Sequence, residues 1–84
     1  MKVRSELKQF AEAMEAKLAT HDDDREDSWR LETTKWLHTR FREECDELQE
    51  AFDDCDPEAA RRECIDVANF ALFMWHKLGR KTKT

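Results

Sequence analysis

The sequence predicts an all-α protein, a three-helix chain whose second and third helices form an antiparallel acidic hairpin and which assembles into an oligomeric helical bundle. Three observations lead there. No alternating β-branched run occurs anywhere, so strand signals are absent. One glycine and one proline in 84 residues, with 42% charged side chains, suit long helices joined by few turns. Apolar residues recur at steps of three and four, the period of a helix face.

Val3, Leu7, Phe10, Met14 and Leu18 place a first amphipathic helix that ends near Thr20. "HDDDREDS", residues 21–28, follows as a polar loop whose crowded acids disfavour helix. Ser28 is the expected N-cap of a second helix running from about Trp29 to Asp54, with Leu37, Phe41, Cys45, Leu48 and Phe52 as its apolar stripe. Asp56 and Pro57 then signal a restart: an N-cap acid, and a proline at the first helical position, where its missing N–H costs nothing. The third helix is expected to reach Leu78 and stop at Gly79 as a C′ residue, leaving 80–84 as a frayed basic tail. The short link around Cys55–Asp56 makes helices two and three antiparallel neighbours.

Helix three is apolar nearly all round. Ala60, Cys64, Val67, Ala71, Met74 and Leu78 form one stripe, Ile65, Ala68 and Leu72 a second, and Phe70 and Phe73 point a third way. Such a helix must be covered on every side, and two partner helices from a short chain cannot do so. A homodimer or homotetramer is the expected remedy, with Trp75 in core or interface.

Composition narrows the function. The chain reads as one domain, residues 1–84. A net charge of -5 argues against a nucleic-acid partner bound through a broad basic surface. No apolar run is long enough to span a membrane and no signal peptide is evident. Cys45, Cys55 and Cys64 are an odd number without a C-x-x-C pair, as in a cytoplasmic protein with reduced thiols.

One residue in the third helix calls for an explanation. Asp66 lies between Ile65 and Val67 in a stretch apolar at almost every step to Trp75. A carboxylate taken out of water is costly unless paired, hydrogen-bonded or bound to a cation. Glu63 shares its helix face, as Glu44 shares one with Glu47. Glu47 and Glu63 stand at similar distances from the turn, so the two acidic pairs are expected to meet at one level. An E-x-x-E on a charged helix is commonly a solvated surface pair; the matching second pair and the apolar setting of Asp66 distinguish this one. Four converging carboxylates remain ionised only if a cation is supplied. Hard oxygen ligands without interleaved cysteine or histidine suit Mg²⁺, with Mn²⁺ possible. A di-iron bundle would call for E-x-x-H pairs, but Lys35 and Phe73 stand three before His38 and His76.

"EECDEL", followed sixteen residues after Glu47 by "ECIDVANF", resembles the E-x-x-E…E-x-x-D signature of the MazG-like, all-α nucleoside triphosphate pyrophosphohydrolases. The preceding "DSWRLETTKWLHTRFREECDEL" is similar in style to small members, and the likeness covers roughly residues 21 to 78. The resemblance implies a dimer or tetramer of helical bundles. It implies Mg²⁺ held by Glu44, Glu47, Glu63 and Asp66, and cleavage of an NTP or dNTP to the monophosphate and pyrophosphate. Glu47, further from the apolar stripe than Glu44, is the favoured catalytic base. His21 and Trp29 are candidates for holding the base, Asn69 continues the acidic line toward substrate, and Lys77 and Arg80 are the cations favoured for the phosphates. The alternative is a non-catalytic, oligomeric helical module for interaction or metal binding.

Overall fold

The structure, a computed structural model, describes residues 1–20 and 28–81, with side chains up to Gly79. All regular structure among the described residues is helical: α1 (Ser5–Ala19), a 3-10 turn (Ser28–Leu31), α2 (Thr34–Asp53) and α3 (Pro57–Lys81).

The start of α2 differs from the sequence expectation. Ser28 opens the 3-10 turn instead of capping a helix, and the cap is Thr33, whose extended backbone turns the chain in. Its hydroxyl oxygen accepts from the Trp36 N–H at 3.0 Å, one of the donors left over in a first helical turn. Trp29 therefore lies outside α2.

The α2–α3 connection is built from two caps back to back. The Asp56 N–H donates to the Ala51 carbonyl and the Cys55 N–H to the Phe52 carbonyl, each at 3.0 Å. This is the paired bonding of a Schellman ending, and it places Cys55 at φ 54° in the left-handed region. Asp56 then caps α3, its Oδ1 accepting from the Ala59 N–H at 3.1 Å, with Pro57 as the first helical residue. At the far end α3 continues through Gly79 to Lys81. Gly79 does not take the positive φ that a C′ glycine would, so nothing ends the helix there.

α2 and α3 form the main packed pair, and α1 and the 3-10 turn lie against α3. Among the described residues the buried apolar side chains are few: Leu37, Ala51, Ala60 and Phe73, with Leu37 fully enclosed. α1 contributes no buried residue, and only Met14 and Leu18 of its stripe are half-buried. Phe52, expected on the inner stripe of α2, is 65% exposed, because Ala51 takes the inner position at the end of that helix. Trp75 is 72% exposed and is not part of this chain's core. Cys64, Ala71 and Leu78 of the expected α3 stripe are exposed too, since the inward face of α3 is Ala60, Asn69 and Phe73.

Candidate metal centre

The acids are drawn together by the same faces that form the core. Glu44 stands two helical turns after Leu37, on the side of α2 that faces α3, and is only 7% exposed. On α3, Glu63 and Asp66 fall at steps of three between buried Ala60 and buried Asn69. One carboxylate oxygen from each of Glu44, Glu63 and Asp66 lies within 4.8 Å of the others.

That proximity sets the electrostatics. Burial, then a hydrogen bond shared with Glu47, then the charges of Glu47, Asp66 and Glu63 push the Glu44 carboxyl up to about 8. Glu63 is raised by burial and by the charges of Glu47 and Asp66, with the Glu44 hydrogen bond and the Lys17 charge opposing. Two cations reach the cluster. Lys17 of α1 places its Nζ 3.5 Å from Asp66 Oδ1. Arg40 donates to Glu44 Oε1 at 3.3 Å and to Glu43, with its guanidinium 5.4 Å from the centroid of the Phe70 ring.

Among the described residues, two buried acceptors remain without hydrogen-bond partners: Glu63 Oε2 and Asn69 Oδ1. A buried carboxylate oxygen left unpaired is costly, and a cation would remove the cost. Three hard oxygen donors, like-charge repulsion and an unpaired buried oxygen fit a hard divalent cation.

Glu47 is exposed on α2 beside the cluster and is coupled to both Glu44 and Glu63 through its charge. It is not in the group whose oxygens converge. Asn69, 4% exposed, donates from Nδ2 to the Met14 carbonyl at 3.5 Å. Trp29 stacks on Phe73 at 4.4 Å between centroids, meets the edge of His76 at 5.8 Å, and has the Arg30 guanidinium 4.5 Å from its ring centre. Lys77 donates from Nζ to the Arg30 carbonyl at 2.9 Å and to the Glu32 carbonyl, tying the 3-10 turn to α3. His21 and the side chain of Arg80 lie outside the described residues. Lys17 was not anticipated as a neighbour of the acids. Nothing local marks it, because its partner is 49 positions away and the contact depends on how α1 lies on α3.

An uncharacterized protein of Archaeoglobus fulgidus is 49% identical to this chain over 45 residues, covering 54% of this chain and 48% of that protein. The chain thus spans about half the length of the curated relative it matches. No family model matches the chain, and no solved structure matches it.

Proposed function

We propose that the chain is a Mg²⁺-dependent nucleotide pyrophosphohydrolase, cleaving an NTP or dNTP to the monophosphate and pyrophosphate, with Mn²⁺ as a possible substitute. The observation that carries the reading is the convergence of Glu44, Glu63 and Asp66, with one buried oxygen of Glu63 unpaired. The E-x-x-E…E-x-x-D resemblance supplies the reaction class. Arg40 over Phe70, and Glu44 beside Glu63 and Asp66, support an antiparallel acidic hairpin as the scaffold.

In this reading Glu44, Glu63 and Asp66 hold the metal, and Glu47 lies at the open edge of the site. A divalent ion held there would neutralise charge on the triphosphate and lower the pKa of the attacking water. Glu47, exposed and beside Glu44, is placed to accept the proton as water adds to the α-phosphorus and pyrophosphate leaves. Asn69 offers its unpaired Oδ1 next to the acids. His21, Trp29, Lys77 and Arg80 complete the substrate-side set carried by the resemblance.

Exposed apolar side chains on α1 and α3 support assembly into a homodimer or homotetramer. No helix of the described residues is long and apolar enough to cross a membrane. Together with three free thiols, this favours a cytoplasmic setting.

A second reading has its own observation. Lys77 already serves main-chain carbonyls and Trp29 already stacks on Phe73, so two substrate-side candidates have structural work. A helical module that binds metal without turnover would look the same. Pyrophosphate release from a panel of canonical and modified nucleotides, with Mg²⁺ and with chelator, separates the two. Mg²⁺-dependent release lost in Glu47→Gln upholds the enzyme; metal binding with no release from any nucleotide rejects it.

A further inference from the structure

We propose that Lys17 is the internal counter-cation of the acidic centre, so that a divalent cation binds there in competition with the docking of α1. The inference rests on the metal-site reading above and adds a linkage between that site and the first helix.

Among the described residues, α1 makes two polar contacts with α3, and both land on one turn of that helix. Lys17 Nζ is 3.5 Å from Asp66 Oδ1, and the Met14 carbonyl accepts from Asn69 Nδ2 at 3.5 Å. Among the described residues of α1, apolar contact adds to them through Met14 and Leu18, which are half-buried. None of its residues is buried, and Val3, Leu7 and Phe10 of its apolar stripe are exposed. The ammonium is therefore a specific polar tie of α1 to α3, and its partner is one of the three acids that would ligate the metal. The Asp66 side chain keeps 20% of its exposure and Lys17 keeps 47%, so a small ion can reach this carboxylate from solvent.

A cation at the centre places positive charge near that ammonium and draws the same carboxylate. The Lys17 attraction is then weakened or exchanged for the metal bond. Arg40 makes a comparable contact with Glu44 on its own helix, and its guanidinium also lies 5.4 Å from the Phe70 ring centre, so moving it bears on the α2–α3 pair and not on α1. Among the described residues, Lys17 is the cation at the cluster that belongs to α1. Coupling of this kind is reciprocal: whatever factor α1 docking takes from metal affinity, bound metal takes from α1 docking.

The test is a calorimetric Mg²⁺ titration of the full chain, its Lys17→Met and Lys17→Arg variants, and Lys8→Met as a control. Lys8 is an exposed lysine of the same helix, outside the contact with Asp66. For a partly exposed ion pair, Lys17→Met is expected to bind about two- to fivefold more tightly than the wild type. Lys17→Arg and Lys8→Met should stay close to wild type. Hydrogen exchange supplies the reciprocal readout: Mg²⁺ should speed exchange of the α1 amides in the wild type and lose that effect in Lys17→Met. Equal or weaker binding by Lys17→Met, while the wild type binds, overturns the linkage and leaves the metal centre standing. The same overturning follows if Lys8→Met tightens binding as much, since that effect is only net charge. Absence of Mg²⁺ binding by every variant removes the metal centre and the linkage with it.

Discussion

Trp29 lies flat against Phe73, the ring centroids 4.4 Å apart and the planes within 10° of parallel. Phe73 is among the few buried apolar side chains, so this stack anchors the 3-10 turn to the core. Lys77, one turn after Phe73 on the same face of α3, secures the same 3-10 turn through the Arg30 and Glu32 carbonyls. Replacing Trp29 by alanine removes the stack and the edge contact with His76. A loss of about 1–3 kcal/mol in urea unfolding is expected, with Trp29→Phe retaining much of it. An alanine variant as stable as the wild type would free the ring from a packing role and strengthen its claim as a substrate platform.

Metal-free stability should fall as pH rises. Glu44 and Glu63 are both raised above their ordinary value of 4.5, Glu44 to about 8. A group raised in the folded state contributes stability that is complete below its unfolded pKa and is lost as pH climbs through the folded one. The window therefore opens near 4.5 and closes, for Glu44, near 8. In chelator, the melting temperature should decline across this interval. Mg²⁺ should stabilise most at its upper end, where protons no longer compete for the carboxylates. Glu44→Gln should flatten the metal-free profile and abolish much of the Mg²⁺ effect. A flat wild-type profile in chelator would contradict the strained cluster.

Cys55 carries a left-handed backbone at φ 54° with an exposed thiol. That conformation costs an L-residue about 1–2 kcal/mol and glycine nothing, while glycine's greater freedom in the unfolded chain returns about 0.5–1. Cys55→Gly is therefore expected to stabilise the protein by about 0.5–1 kcal/mol. For a domain of this size that is a rise of a few degrees, at about 4–8 °C per kcal/mol, readable by thermal melting. Cys55→Val, with a β-branched side chain in the same place, should do the reverse.

Leu72, Trp75 and Leu78 recur at steps of three along α3 and are all exposed, as are Val3, Leu7 and Phe10 on α1. Large contiguous apolar patches are uncommon on monomers. Light scattering at micromolar protein should return a particle at least twice the 10.1 kDa chain mass. Leu72 is already about a third exposed in the single chain, so Leu72→Glu should dissociate the particle with more effect on assembly than on a lone chain's packing. A wild-type monomer at high concentration would refute assembly.

Much of the helical plan is written locally. Asp56 and Pro57 specify the start of α3 because a side-chain acceptor and a fixed φ act within one turn. The apolar period of α1 likewise carries its extent, Ser5–Ala19, since helix formation needs no distant partner to choose its face. The acidic pairs were visible as spacing: Glu63 and Asp66 had to share a side of α3, and Glu44 had to follow Leu37 round α2. Where local signals compete, tertiary contacts decide between them. Ser28 and Thr33 are both acceptable caps, and the choice of Thr33 goes with the docking of Trp29 on Phe73, a contact across 44 positions. Gly79 permits a C′ ending but does not impose one, and α3 continues through it. Cys55 carries no sequence sign of a left-handed residue; the short link between two helices that pack on each other forces that backbone there. The extent of burial was also invisible. Periodicity gives the stripe to which Phe52 and Trp75 belong, yet how far each is covered depends on packing: Ala51 takes the inner position beside Phe52, and Trp75 stays 72% exposed. The pairing of Lys17 with Asp66 belongs wholly to the tertiary structure, because it requires α1 to lie on α3 at one particular height. Residue order determines what each helix presents within a few turns, where geometry is nearly invariant; which presented groups meet is decided by packing, through contacts whose strength no single segment contains.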